Sequence, residues 1–245
     1  MRKIKLKIEY DGTNYHGWQI QKNANSVQET IERAISKLLG EEVGIVGCSR
    51  TDVGVHAYGQ VAHFATDSSI PGDKFSYAIN NLLPSDIVIQ QSEEVSEEFH
   101  SRYSAKGKKY RYLIYNGAHA SAIMRNRTYH VRPELDFEKM RKAAKYFIGQ
   151  HDFAAFQATG GQVRSTVREI YDMELLRKED NLISVEVSGN GFLYNMVRII
   201  AGTLVYVGMD KIDADEIHEI IDSLDRTRAG KTAPSEGLYL MEIYY

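Results

Sequence analysis

Apolar and charged residues alternate at the start of the chain. Between residues 3 and 10 every second position is apolar, a period of two that predicts a half-buried strand ending at the turn Asp11-Gly12. Ser26 and Glu29 then form a capping box, and apolar residues recur behind them at helical spacing as far as Gly40, where the helix is expected to end. The chain is therefore expected to open with a strand followed by a helix.

The same two periods continue along the chain and occur twice in the same order. In the first half they predict strands near 43–48 and 59–65, a helix near 73–83 and a strand near 86–91. In the second half they predict a strand near 108–115, a helix near 137–148, strands near 167–177 and 182–188, helices near 192–207 and 214–224, and a strand near 238–244. Apart from one extra helix, each half follows the order β-α-β-β-α-β.

This repeat predicts an α+β protein of two pseudo-symmetric halves, each an antiparallel sheet with helices on one face. The arrangement is of the ferredoxin type, which RNA-binding sheets also use. We place the domains at 1–105 and 106–245. Because no Pro-rich or Ser-rich linker separates them, we expect their sheets to abut, with a basic cleft between them as the functional site.

The composition predicts a soluble globular protein. Of 245 residues, 43% are hydrophobic and 26% are charged, and no apolar run is long enough to span a bilayer. The single cysteine, Cys48, excludes an intramolecular disulfide, and the first residues do not form the apolar core of a signal peptide. We therefore expect a cytoplasmic protein. No CxxC or HExxH motif is present, so we expect neither a structural zinc nor another cofactor.

The charge of the chain is unevenly distributed. The net charge is -3, yet residues 99–133 contain eight Lys or Arg, five Tyr and no Asp or Glu. Cations interleaved with flat rings suit a phosphate backbone and its unstacked bases. The alternative is a solvated strand face with buried aromatics. The cations are Arg102, Lys106, Lys108, Lys109, Arg111, Arg125, Arg127 and Arg132, and the tyrosines are Tyr103, Tyr110, Tyr112, Tyr115 and Tyr129.

Several familiar catalytic motifs are incomplete in this chain. Gly230-Lys231-Thr232 resembles the end of a phosphate loop, but Asp225 stands where that motif requires glycine. Gly189-x-Gly191 has Tyr194 at the third glycine position of a dinucleotide fingerprint, and no GxSxG is present. These absences argue against a nucleotide hydrolase, a dinucleotide-dependent oxidoreductase and a serine hydrolase.

Two charged residues lie in places that need an explanation. Asp52 lies in the segment 50–57, between two predicted strands, where an aspartate usually only forms a turn. Arg198 lies on an otherwise apolar helix, where an unpaired charge is costly and a carboxylate partner is expected. The alternative for Arg198 is a side chain that reaches solvent.

The chain contains five ordered sequence blocks, which are Tyr10-Asp11-Gly12-Thr13 with Gly17-Trp18-Gln19, Arg50-Thr51-Asp52-x-Gly54-Val55-His56, Lys109-Tyr110-Arg111-Tyr112, Phe192-Leu193-x-x-Met196-Val197-Arg198, and Thr232-Ala233-Pro234 with Gly237-Leu238. Together they resemble the TruA family of tRNA pseudouridine synthases over nearly the whole chain. The resemblance implies conversion of U38, U39 and U40 in the anticodon stem-loop of tRNA. It also implies a homodimer that holds one tRNA across both subunits.

The resemblance also implies roles for individual residues. Asp52 matches the catalytic aspartate, Tyr110 a tyrosine that stacks on uracil, and Arg198 an arginine paired with the aspartate. Arg50 matches an arginine thought to fill the gap left by the displaced base. The further candidates for RNA contact in the same blocks are His56, Lys109 and Arg111.

The chain departs from the family pattern at two places. Ser49 stands where many members have glycine, and Tyr194-Asn195 stands where others have two histidines. We expect neither departure to touch Asp52, Tyr110 or Arg198.

The implied reaction is an isomerisation. It cleaves the bond between N1 and C1′ and joins C5 to C1′, so nothing is added or lost overall. Asp52 must be ionised, either to attack C1′ or to take a proton from the sugar. The target uridine must first leave its stack, which costs a few kcal/mol.

Three alternatives remain at this point. One is a tRNA-binding or chaperone module without chemistry, and another is a TruA paralogue with a different RNA target. The third is a glycoside hydrolase, which normally needs two catalytic carboxylates about 5 to 10 Å apart, and we find only one candidate, Asp52, in the motif blocks.

Overall fold

The computed structural model describes residues 1–161 and 163–245. They divide into two compact units, Met1–Lys106 with Tyr239–Tyr245, and Gly107–Leu238. The first boundary lies one residue beyond the expected position. The last strand was expected in a domain running from 106 to 245, but all of it except Leu238 belongs to the first unit, because it pairs with a strand there.

The described residues form ten strands and five helices. In chain order they are β1 (Arg2–Tyr10), α1 (Val27–Leu39), β2 (Val46–Gly47), β3 (His56–Thr66), α2 (Phe75–Asn80), β4 (Ile87–Val95), β5 (Gly107–Asn116), β6 (Tyr129–Val131), α3 (Phe137–Ala144), β7 (Gly149–Asp152), β8 (Val167–Arg177), β9 (Leu182–Gly189), α4 (Met196–Gly208), α5 (Ile217–Ser223) and β10 (Leu238–Tyr244). The α+β class is confirmed.

The sheet of the first unit has the order β4-β1-β3-β10. Strand β1 is antiparallel to both β3 and β4. The other edge of β3 is shared: β2 pairs antiparallel through Val46 and His63, and β10 pairs parallel through Tyr239 and His56. The sheet is therefore mixed, whereas we expected purely antiparallel pairing.

The sheet of the second unit has the order β5-β9-β8-β7, with antiparallel neighbours. The short strand β6 adds a parallel partner to β5. Helix α3 packs on β8 and α4 packs on β5. Helix α4 is buried on almost every side, as expected for a helix that is apolar all round.

Several predicted elements are confirmed. The Ser26 hydroxyl accepts from the backbone N–H of Glu29 at the start of α1, and Gly40 ends that helix with φ of 75°. A left-handed residue after the last turn is the usual use of glycine there. Strands β8 and β10 have the predicted bounds.

Other predicted elements are wrong at their ends. Helix α4 begins at Met196, not near 192, because Asn195 takes a left-handed conformation in front of it. Helix α3 ends at Ala144, and residues 149–152 form β7, which pairs with β8. A 3-10 turn over Lys145–Phe147 takes the place of the last predicted turn of the helix. The predicted strand 43–48 is reduced to the two residues of β2, and β6 was not predicted.

The described part of the chain was also compared with the requirements of a membrane-spanning helix and of a metal site. None of its helices is long and apolar enough to cross a membrane. It contains no group of three or more His, Cys, Asp or Glu side chains that could hold a metal ion. Cys48 is buried and is not part of a disulfide.

Candidate active site

The loop between β2 and β3 carries Arg50 and Asp52. Arg50 is exposed and Asp52 is half-buried, whereas Thr51 between them is buried. The backbone N–H of Cys48 still donates to the carbonyl of Val61 at 2.8 Å, and beyond that bond the chain leaves β3. The loop therefore presents one charged side chain on each side of the buried Thr51.

The segment 11–18 packs directly on this loop. Gly12 has no room for a side chain, because a Cβ there would overlap the carbonyl oxygen of Val55. Gly17 has φ of +86°, and a Cβ there would overlap the carbonyl oxygen of Thr51. Only glycine meets both requirements at such a position. The contacts explain why two separate sequence blocks belong to one site.

His56 is a buried member of the same site, only 3% exposed. Its Nδ1 lies 3.1 Å from the backbone N–H nitrogen of Gly12 and 3.1 Å from Oδ1 of Asp11. Its ring stacks on Tyr239 at 4.7 Å. These contacts give His56 a role in holding the loop against residues 11–12. Its predicted contact with RNA remains a prediction.

Tyr110 lies on β5 in the second unit and is also buried. Its ring meets the edge of Phe192 at a centroid distance of 5.2 Å. Phe192 belongs to the same sequence block as Arg198, so the fold brings two of the five blocks together here. An aromatic pair of this geometry holds the ring in a defined orientation.

Arg198 lies in the first turn of α4, and its guanidinium is held at two atoms. Nε donates to the carbonyl of Ala233 at 2.8 Å, and Nη1 donates to Oδ1 of Asn195 at 2.7 Å. Residues 230–233 reach this position because α4 has Gly202 where a Cβ would overlap the carbonyl oxygen of Lys231. The Thr232-Ala233-Pro234 block therefore orients the arginine.

Asn195 corrects one of our expectations. We expected Tyr194-Asn195 not to touch the site residues, but the Asn195 side chain accepts directly from Arg198. Asn195 has φ of 60°, a conformation that asparagine tolerates better than most residues. The departure from the family pattern therefore lies beside a proposed catalytic group.

Lys109 and Arg111 lie on the other side of β5 from Tyr110. Successive residues of a strand face opposite sides, and both cations bind Glu186 on β9. Lys109 Nζ lies 2.7 Å from Oε2 of Glu186, and Arg111 donates from Nε and Nη2 to Oε1 at 3.0 and 2.9 Å. Burial favours the neutral acid, but the hydrogen bonds from the two cations outweigh it and lower the pKa of Glu186.

The buried aromatics that the alternative interpretation of the basic stretch expects are present in part, and contact of the stretch with RNA remains a prediction. Tyr112 is fully buried, and its hydroxyl donates to the carbonyl of Pro234 at 2.6 Å. Burial raises its pKa well above the ordinary value. Tyr103, in contrast, is 77% exposed beside Arg102. The stretch supplies core aromatics as well as solvent-facing cations.

The predicted site residues form two sets. The first unit holds Arg50, Asp52 and His56 on one loop and its flank. The second unit holds Tyr110 and Arg198 on one side of its sheet, with Lys109 and Arg111 on the other. Sequence reasoning missed the residues that hold these groups, because neither a left-handed residue before a helix nor the register between two strands leaves a signal in the hydrophobic pattern. The supporting residues are Tyr10, Gln60, Glu186, Asn195 and Ala233.

Comparison with known proteins gives consistent results. A model of the family described as tRNA pseudouridine synthase matches residues 7–104 and 143–245. The chain is 79% identical to tRNA pseudouridine synthase A of Ruminiclostridium cellulolyticum and 63% identical to that of Acetivibrio thermocellus, over the full length of both proteins in each case. Identity to the protein of the same name from Thermoanaerobacter pseudethanolicus is 54%, again over full lengths. The chain belongs to the TruA family of tRNA pseudouridine synthases, which are isomerases.

Proposed function

We propose that this chain isomerises uridine to pseudouridine in the anticodon stem-loop of tRNA, at U38, U39 and U40. The observation that carries the proposal is the Asp52 loop, in which a half-buried carboxylate follows a buried, anchored residue. Membership of the family supplies the reaction and the kind of RNA. The three positions are inferred from the resemblance of the sequence blocks.

Asp52 acts on the sugar of the target nucleotide. As a carboxylate it either attacks C1′, which releases uracil, or takes a proton from the sugar, which also breaks the bond between N1 and C1′. The uracil then turns and C5 joins C1′, which in the first route breaks the bond between Asp52 and C1′ and in the second is accompanied by return of the proton to the sugar. C5 then loses its proton and N1 gains one, which restores the ring. The net reaction moves one bond and consumes no second substrate.

Arg198 and Tyr110 complete the chemistry. Arg198 is proposed to pair with Asp52, and this is supported by a guanidinium whose Nε and Nη1 are already oriented by Ala233 and Asn195. Tyr110 is proposed to stack on the uracil, an interaction worth about 1–3 kcal/mol per base. The edge contact with Phe192 supports this role, because it holds the ring in one orientation.

The nucleotide is flipped out of the stem before it reacts. Unstacking costs a few kcal/mol, and Arg50 is proposed to occupy the vacated space, since it is exposed next to Asp52. His56, Lys109 and Arg111 are proposed as further RNA contacts. Because Lys109 and Arg111 lie on the side of β5 opposite Tyr110, they would meet phosphates away from the reacting nucleotide.

We further propose that the protein is cytoplasmic and works as a homodimer that holds one tRNA across both subunits. A single, buried cysteine is consistent with a reducing compartment. Sedimentation equilibrium of the free protein tests the dimer. A monomer at micromolar concentration, free or with tRNA, contradicts it.

The experiment that tests the function is base-resolved mapping of pseudouridine after incubation with unmodified tRNA. We expect product at positions 38, 39 and 40 wherever uridine occurs there. Product at other positions or in another RNA indicates a paralogue with a different target. Tight tRNA binding without any product on any tRNA indicates a binding module and overturns the proposal.

A further inference from the structure

Thr51, the residue before Asp52, is held at two atoms. Its Oγ1 lies 2.8 Å from the hydroxyl oxygen of Tyr10, and its carbonyl accepts from the backbone N–H of Trp18 at 3.1 Å. Tyr10 is 3% exposed and Thr51 is 8% exposed, so the two hydroxyl groups meet in the protein interior. A hydrogen bond in such surroundings is directional and costly to leave unmade.

The chain before Thr51 is held by a buried amide. Gln60 is fully buried; its Nε2 donates to the carbonyl of Ser49 at 2.6 Å, and its Oε1 accepts from the N–H of Ser49 at 3.3 Å. The same oxygen accepts from the N–H of Val61 at 3.1 Å. The side chain thus replaces the backbone bonds that β3 would have offered Ser49. The loop leaves the sheet in a defined direction.

The chain after Asp52 closes a turn. The backbone N–H of Val55 donates to the carbonyl of Asp52 at 3.2 Å, and Gly54 has φ of +78°. Both peptide groups that flank the Asp52 Cα are therefore fixed. Because the backbone sets the direction of the bond from Cα to Cβ, these contacts fix where the Asp52 side chain leaves the loop.

We propose that the hydroxyl pair of Tyr10 and Thr51 orients the Asp52 carboxylate, which makes Tyr10 and Thr51 positioning residues for pseudouridine formation. This inference rests on the proposed role of Asp52. A carboxylate that must meet one sugar atom loses rate steeply when it is displaced, about 100-fold for about 1 Å. Thr51 is the residue next to Asp52 in the chain, and Tyr10 on β1 holds its hydroxyl.

Four variants test the pair: Tyr10→Phe, Thr51→Val, the double variant, and Thr51→Ser as the control that keeps the hydroxyl. The readouts are the single-turnover rate at saturating tRNA, the affinity for tRNA and the melting temperature. We expect Tyr10→Phe and Thr51→Val each to slow the reaction by at least about 10-fold, with affinity close to that of the original protein. Thr51→Ser should react at nearly the original rate.

The double variant separates positioning from stability. Thr51→Val leaves the buried Tyr10 hydroxyl without the Thr51 hydroxyl. The double variant removes both hydroxyl groups, so its melting temperature should be partly restored relative to Thr51→Val. If the pair orients Asp52, the double variant regains stability and stays slow. If its rate recovers together with its stability, the pair is only structural and the proposal is overturned.

Asp52→Asn in the same assay separates this inference from the proposed function. If Asp52→Asn is inactive while Tyr10→Phe and Thr51→Val react at the original rate, only the positioning inference fails. If Asp52→Asn itself turns over, the role of Asp52 fails and the inference fails with it. If Asp52→Asn is inactive and the single variants are slow at unchanged affinity, the inference stands.

Discussion

Asn195 combines two properties that affect the neighbouring arginine. Its backbone is left-handed directly before α4, which begins at Met196. Its side-chain oxygen accepts from Nη1 of Arg198 at 2.7 Å. The two properties can be separated, because glycine keeps the left-handed conformation without a side chain. The residue is therefore a test of whether the orientation of Arg198 matters for the rate.

We predict that Asn195→Gly lowers the single-turnover rate by about 10-fold, since a hydrogen bond to a charged group contributes about 1.5–3 kcal/mol. Loss of this bond should also lower the melting temperature, but less than in Asn195→Ala. Asn195→Ala serves as the matched variant, because alanine loses the same acceptor and also strains the backbone, so it should be both slower and less stable. An Asn195→Gly protein with the original rate contradicts a role for this contact.

At the residue scale, the sequence predicts the charged site residues but not the residues that hydrogen-bond to them. Asp52 and Arg198 stand out because the family blocks contain them. The contact between Asn195 and Arg198 could not be predicted, because the helical pattern placed residues 192–195 inside α4. A sequence pattern reports burial and spacing, and a left-handed residue at a helix start leaves neither signal.

At the scale of single elements, β5 separates its side chains by face. Tyr110 lies on the side that packs against Phe192, and Lys109 and Arg111 lie on the other side with Glu186. The three ionised groups carry a net charge of +1, so the glutamate reduces the attraction of this patch for phosphate. The alternation of the strand is predictable from the sequence, but the partner on β9 depends on register.

We predict that Lys109→Gln lowers the slope of log K against log salt for tRNA binding by about 0.7–0.9 if Lys109 contacts a phosphate. Glu186→Gln is the matched variant and should strengthen binding at low salt, because it raises the net charge of the patch to +2. The chemical step should stay unchanged in both. Identical salt slopes in the original protein and both variants show that the contacts among Lys109, Arg111 and Glu186 only hold the sheet together.

His63 on β3 is a second element-scale feature. It is buried, its Nδ1 accepts from the backbone N–H of Ser101 at 3.2 Å, and its ring lies 5.0 Å from that of His100. Burial, together with the nearby charges of His100 and Lys3, lowers the pKa of His63 from 6.5 to about 4. The folded protein therefore keeps this ring neutral in mild acid.

We predict that the free energy of unfolding decreases as the pH falls from about 6.5 to about 4. In this window the unfolded chain binds a proton at position 63 and the folded chain does not, so acid favours unfolding. Urea titrations at several pH values measure the dependence. His63→Gln should flatten it and His100→Gln should leave most of it. A His63→Gln protein with the original pH dependence contradicts the assignment to this residue.

At the scale of the whole molecule, the sequence predicts the order of the elements along the chain better than it predicts which sheet each strand joins. The bounds of β10 agree with the prediction, yet the strand pairs with β3 through Tyr239 and His56 and so belongs to the first unit. A period of two reports that one face of a strand is buried, and it does not report which strand is the neighbour. Membership of a sheet depends on long-range pairing.

The central claim is that Asp52 of this chain carries out pseudouridine formation in tRNA. Its most direct test is the amount of pseudouridine formed at positions 38–40 of an unmodified tRNA by the original protein and by Asp52→Asn under single-turnover conditions. The amide has nearly the same shape but cannot act as an anion, so we expect the rate to fall by at least about 1,000-fold while tRNA binding and melting temperature are retained. Pseudouridine formation by Asp52→Asn at a rate near that of the original protein contradicts the account.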